Sequence, residues 1–207
     1  VARPAPHTLD DEAVRVPRTA KFPVELEVPP GFVPADAAPW PQVDGRLEWV
    51  DGRLLWMPPC GTSQQVTVTD VVVVLGTWAR AHPEFAVGTN EAGMHLGDDV
   101  RGADAAVWRR ESFGPLGHHF ATTPPVLAVE VSGRDEREPA LRAKVRWYLD
   151  AGTTVVWIML VDERRVIVVT RDGDASYGLG DTLPPHPALP GLAPAVGDLF
   201  RQLRDAG

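Results

Sequence analysis

Short apolar runs alternate with polar turns along this chain, and the spacing within each run sorts it into strand or helix. Arg46-Leu47-Glu48-Trp49-Val50 and Arg53-Leu54-Leu55-Trp56-Met57 flank Asp51-Gly52. That dipeptide suits a tight hairpin turn, so two paired strands are predicted. Pro58-Pro59 closes the second strand, and Thr62-Ser63 offers N-cap chemistry for a helix over about Gln64 to Ala81. Val66 to Val74 is rich in β-branched residues, which favours strand. The length, the polar entry and the continuation through Leu75, Trp78 and Ala79 favour a buried helix instead.

Two strands are predicted next, Phe85 to Asn90 and Gly93 to Leu96, followed by a polar turn at Gly97-Asp98-Asp99. An apolar run through Ala103-Asp104-Ala105-Ala106-Val107-Trp108 predicts a further strand. A loop through Gly114-Pro115 and His118-His119 leads to another strand, Val126 to Ser132. Leu141, Val145, Tyr148 and Leu149 recur at helical spacing, with Pro139 suited to the helix start and Gly152 to its end. Val155–Leu160 and Arg165–Thr170 complete a sheet, and a proline-rich crossing ends in a short helix over 196–203. Residues 1–42 read as an extended proline-rich arm containing one alternating stretch, Val24 to Val28. Residues 43–207 read as a single domain.

Composition narrows the class. The 207 residues are 44% apolar and 23% charged, as in soluble globular domains. No apolar stretch approaches the ~18–20 residues of a membrane span, and no signal-peptide pattern opens the chain. With Cys60 alone no intrachain disulfide can form, and a cytoplasmic setting is expected. The formal net charge of −8 counts against a general nucleic-acid sleeve, which needs clustered Lys and Arg, but not against an acidic metal site. Only Lys21 and Lys144 among the 20 basic residues are lysine. Where arginine is the default, a lysine beside carboxylates draws notice, because its compact ammonium can shift its pKa and a guanidinium cannot.

Asp104, Glu130 and Lys144 fall on three successive elements. Strand alternation puts Asp104, Ala106 and Trp108 on one face, and Val126, Ala128, Glu130 and Ser132 on one face of the next strand. Glu130 is flanked by apolar residues, and a buried carboxylate is costly unless paired or metal-bound. Lys144 sits at the margin of the apolar stripe of its helix, able to reach along the sheet. Spacing alone leaves two readings. One is a metal-dependent hydrolytic centre; the other is a structural Glu130–Lys144 ion pair with Asp104 as a polar strand residue.

The order of these pieces resembles the bacterial Uma-two family of endonuclease-like proteins, within the PD-(D/E)XK restriction-endonuclease-like superfamily. The matching features run from about Gly45 to Phe200. They are the hairpin 47–54, Ala103-Asp104, Val129-Glu130-Val131, Lys144 with Tyr148, Ala151-Gly152 before Val156-Trp157-Ile158, and the closing Leu189-Pro190-Gly191-Leu192 and Asp198-Leu199-Phe200. The resemblance implies an α/β fold with a mixed sheet flanked by helices. It also implies Mg²⁺ or Mn²⁺ held by Asp104, Glu130 and the Val131 carbonyl, Lys144 as the catalytic lysine moved onto the helix, Glu48 as a further acidic residue, and DNA as substrate. Ser132 stands where the superfamily pattern places its lysine, and Gln64 where relatives often carry histidine. The second expectation is therefore a non-enzymatic nucleic-acid-binding or interaction protein of the same fold with a decayed site. A homodimer or higher oligomer would suit double-strand cutting. Of the seven tryptophans, Trp147 alone projects off an apolar run, and it reads as an oligomer contact. Cys60 reads as a buried or inert thiol, and His118-His119 as a solvated loop.

Overall fold

A computed structural model describes residues 21–113, 117–133, 136 and 138–203, with the side chains of residues 90 and 91 left aside. The first twenty residues of the expected arm and Gly114-Pro115 lie outside the described residues. Nine strands among them form one mixed sheet: β1 (Val24–Leu26), β2 (Arg46–Val50), β3 (Arg53–Met57), β4 (Phe85–Leu96), β5 (Asp99–Arg109), β6 (Leu127–Val131), β7 (Val155–Leu160), β8 (Arg165–Thr170) and β9 (Gly173–Tyr177). Three α-helices accompany them, α1 (Thr62–Arg80), α2 (Glu138–Ala151) and the short α3 (Val196–Leu199), with a single 3₁₀ turn at Arg110–Ser112.

The β2–β3 hairpin has the expected register, Val50 opposite Arg53. Asp51 and Gly52 both take positive φ, 50° and 76°, as a two-residue turn matching strand twist requires. Part of the expected arm joins the sheet, since Val24–Leu26 pairs with β3. β6 and β7 run parallel, a pairing that needs a crossover, and α2 supplies it.

Each face of the sheet carries its own apolar layer. Val71, Leu75 and Trp78 of α1 pack with Val129, Val131, Trp157 and the tail residues Val196, Leu199 and Phe200. On the other face Leu141, Val145 and Tyr148 of α2 pack with Ala106, Trp108, Ala128 and Ile158. The β-branched run in α1 is helical because its buried positions, Gln64, Thr67, Asp70, Val71, Leu75 and Trp78, fall on one helical face. That three-and-four spacing outweighs strand propensity once a face is buried. Asp70 on α1 ties down the tail, accepting hydrogen bonds from the Gln202 amide and side chain at 2.8 and 2.9 Å.

Several local expectations change. Thr62 and Ser63 lie inside α1; Gly61 precedes it and no side chain caps it. Phe85–Leu96 is one strand with a register shift between Thr89 and Ala92, not two strands. The last helix stops at Leu199, and β9 fills an edge that the sequence reading left unassigned. Cys60 is exposed. Trp147 is half-buried, covered by the Arg101 guanidinium 4.9 Å from its ring centre.

Candidate functional site

The trio meets where β5 forks. β4 pairs with β5 along one edge, from Phe85–Arg109 to Leu96–Asp99. β2 and β6 share the other edge. β2 pairs at Val100 and β6 from Ala105 to Val107. Residues 101–104 therefore lie in the crotch between two diverging strands. Extending the Ala105–Val129 pair by one residue sets Asp104 opposite Glu130, on the sheet face that α2 covers. Across the other edge, Thr89 pairs with Ala105 and Ala92 with Ala103. Two residues of β4 thus oppose Asp104 alone, a bulge of the kind that re-aims side chains beside active sites.

All three members are buried: Glu130 is 1% exposed, Asp104 7% and Lys144 8%. Asp104 Oδ2 accepts the Val131 amide at 2.7 Å, and Oδ1 lies 3.9 Å from the Arg46 guanidinium. Lys144 Nζ donates to Glu130 Oε2 at 2.8 Å and to the Gly102 carbonyl at 3.4 Å. It also stands 3.3 Å from Glu48 Oε1, which Arg46 approaches to 3.6 Å. The Tyr148 hydroxyl donates to Glu130 Oε1 at 2.6 Å. Lys144 and Tyr148 are four residues apart, so one face of α2 presents both donors to one carboxylate.

Electrostatics within the cluster are unequal. Burial and the Glu130 charge push the Asp104 carboxyl up to about 7, against the pull of Lys144, Arg46 and the Val131 amide. Burial also raises Glu130, although Lys144 and Arg46 attract its anion. Glu48 is buried too, but Lys144, Arg46 and Arg101 outweigh desolvation and hold it below the usual carboxylate range. Burial alone would lower Lys144, but Glu130 and Glu48 hold it above its ordinary value. Burial and Glu130 push the Tyr148 hydroxyl well above the usual phenol value. With Asp104 ionised, three carboxylates face the two cations Lys144 and Arg46, while Arg101 acts on Glu48 from its own ion pair with Asp99 at 3.1 Å.

Glu48, expected as a further acidic residue, thus packs against Lys144. The Val131 carbonyl accepts Gln64 Nε2 at 3.0 Å, which leaves it one lone pair. Ser132 Oγ accepts the Val161 amide at 3.0 Å, tying β6 to the end of β7. Sequence reasoning missed Arg46, although it shares a strand face with Glu48. It placed Tyr148 on the apolar stripe and named it beside Lys144 in the family resemblance, but gave it no part in holding Glu130.

Oxygen donors for a hard cation are present: Asp104 Oδ1, the lone pairs of Glu130 not taken by Tyr148 and Lys144, and the Val131 carbonyl. Among the described residues no three His, Cys, Asp or Glu side chains gather closely enough to hold a metal by themselves. A cation of the Mg²⁺ type does not need such a cage, since one or two carboxylates with water and substrate oxygens suffice. No helix of the described residues is long and apolar enough to cross a membrane.

No similar protein was found among curated sequences. A solved structure from Anabaena variabilis, described as "a putative nuclease belonging to DUF820", superposes with a TM-score of 0.69 at 16% identity, covering 78% of this chain and 93% of that one. The two share a mixed-sheet α/β architecture, the fold class expected from the sequence. The family model described as "Putative restriction endonuclease" matches residues 35–197, which include every residue of the buried cluster, and the chain belongs to that family, Uma2.

Proposed function

We propose that this chain is a metal-dependent endonuclease that hydrolyses DNA phosphodiester bonds at the Asp104–Glu130–Lys144 cluster. The surplus carboxylate carries this reading. A purely structural pair would be complete with Glu130, Glu48, Lys144 and Arg46, two charges of each sign. Asp104 adds a third buried anion opposite Glu130. Removing buried charge in favour of apolar packing is commonly neutral or stabilising, so a costly extra carboxylate points to work on a ligand.

In this reading Asp104 and Glu130, with the Val131 carbonyl, hold Mg²⁺ or Mn²⁺. When bound, the divalent cation neutralises the surplus charge, polarises the phosphate and lowers the pKa of the attacking water. Lys144 places its ammonium where charge develops on the phosphoryl oxygens. Tyr148 fixes the plane of the Glu130 carboxylate, and Glu48 keeps Lys144 charged and aimed. Arg46 lies beside Asp104 and meets the incoming phosphate.

The hydrogen bonds that engage both Glu130 oxygens also support a second reading, a non-enzymatic nucleic-acid-binding or interaction protein that keeps the fold. Titration with Mn²⁺ and Mg²⁺ followed by thermal unfolding separates the two. The endonuclease reading expects a cation-dependent rise in Tm that Asp104→Asn abolishes. A flat titration of the unsubstituted protein favours the second reading.

A further inference from the structure

A pocket of about 280 Å³ opens beside the buried cluster, lined by Trp40, Val43, Arg46, Arg101, Gly102 and Phe120 among others. Two of its lining residues belong to the cluster's own contacts. Arg46 lies 3.9 Å from Asp104 Oδ1 and 3.6 Å from Glu48 Oε1, and the Gly102 carbonyl accepts from Lys144. Any anion held by Arg46 in this pocket is therefore next to Asp104.

The far wall is aromatic and already fixed. The Trp40 and Phe120 rings meet edge to face at 5.2 Å. Trp40 Nε1 donates to the Pro34 carbonyl at 3.1 Å. Phe32 packs at 5.4 Å on Trp40 and at 5.4 Å on Trp49 of β2. Rings locked in this way lose little freedom on binding, which favours a planar partner. Base stacking on such rings is insensitive to sequence, because every base has a π-face. The size sets a further limit: 280 Å³ is at the lower end of small-molecule pockets, room for one unstacked base with its sugar and not for a stacked base pair.

We propose that this pocket is a subsite for a single nucleotide of an unpaired DNA strand, with the base against Trp40 and Phe120 and its phosphate at Arg46. The inference rests on the endonuclease reading and narrows it to a substrate class: single-stranded DNA, or DNA locally unpaired beside the cut, in preference to intact duplex. Extruding a base from duplex costs unpairing and unstacking energy, which a strand already single does not incur.

Anisotropy of a labelled ten-nucleotide strand and of the same sequence as duplex, both in EDTA so that no cleavage intrudes, tests it. The unsubstituted protein should bind the single strand at least tenfold more tightly. Trp40→Ala should weaken single-strand binding on the order of tenfold. Val43→Trp, at an exposed position on the pocket wall, should do the same by filling the space, without removing any packed ring. Equal or tighter binding of duplex, or undiminished single-strand affinity in a folded Val43→Trp variant, overturns the subsite. The Mn²⁺-dependent rise in Tm should persist in Val43→Trp. Cleavage by that variant at the unsubstituted rate also overturns the subsite and leaves the endonuclease reading intact. Selective single-strand binding that the plug abolishes, without any metal-dependent cleavage by the unsubstituted protein, supports the subsite and overturns the endonuclease reading alone.

Discussion

Tyr148 donates its hydroxyl proton to Glu130 Oε1 at 2.6 Å, from α2 to the strand beneath it. Both groups are buried, so the bond is a charge-assisted one in a low-dielectric setting, worth more than a neutral pair. Tyr148→Phe keeps the ring and removes only the donor. Urea unfolding of this variant should show a loss of about 1.5–3 kcal/mol, the range for hydrogen bonds to charged groups. A loss below about 0.5 kcal/mol, the floor for an ordinary intramolecular bond, would mean that Glu130 does not depend on this proton.

Lys144 is the cation that makes two buried carboxylates tolerable. Lys144→Ala strands Glu130 and Glu48, and breaking a buried pair in this way typically costs about 3–5 kcal/mol. The deficit should also depend on pH. Without the ammonium, the Glu130 carboxyl, already raised by burial, rises further and Glu48 loses the largest attraction that holds it low, so the folded state keeps protons that the unfolded state releases. Stability from that source is present at low pH and lost as pH rises through the raised pKa. Unfolding at pH 5 and pH 8 should show the larger deficit at pH 8. An equal deficit at both would contradict the pairing.

Asp104 makes the intact site pH-sensitive in the same direction. Its folded value of about 7 lies above the ordinary 3.8. Its contribution is therefore full below pH 3.8 and declines as pH rises towards and through 7. Asp104→Asn preserves an acceptor for the Val131 amide and removes the charge. At pH 8 without divalent cation it should unfold several degrees higher than the unsubstituted protein, by roughly 2–4 kcal/mol at most. A lower Tm would assign Asp104 a structural role instead.

Protons and divalent cations compete for the same carboxylate. A cation-induced rise in Tm should thus be larger at pH 8, where Asp104 is ionised, than at pH 6, where a proton occupies it. The same shift at both values would place the cation away from Asp104.

Much of this was legible in residue spacing. The hairpin around Asp51-Gly52 and the strands at Val155–Leu160 and Arg165–Thr170 follow from alternation and turn chemistry. Period-two alternation also put Glu130 on the face that α2 covers. The bulge opposite Asp104 was not legible, because its two halves read as separate strands of acceptable length. β9 escaped notice because Gly173–Tyr177 is mostly exposed and carries no apolar pattern. The roles of Arg46 and Tyr148 were missed for a different reason. Each residue satisfies a local rule, strand alternation or helical stripe, and their contacts with the carboxylates arise only when β2 and α2 come together over β5 and β6.

The most direct test is cleavage of end-labelled DNA, offered both as single strand and as duplex, with Mg²⁺, with Mn²⁺ and with EDTA. Unsubstituted protein, Asp104→Asn and Lys144→Met should be compared side by side. The expected result is product only with divalent cation and only from the unsubstituted protein, with at least a hundredfold loss in either variant. Cleavage that survives EDTA, or that Asp104→Asn retains at the unsubstituted rate, would contradict the assignment of the cluster as the hydrolytic centre.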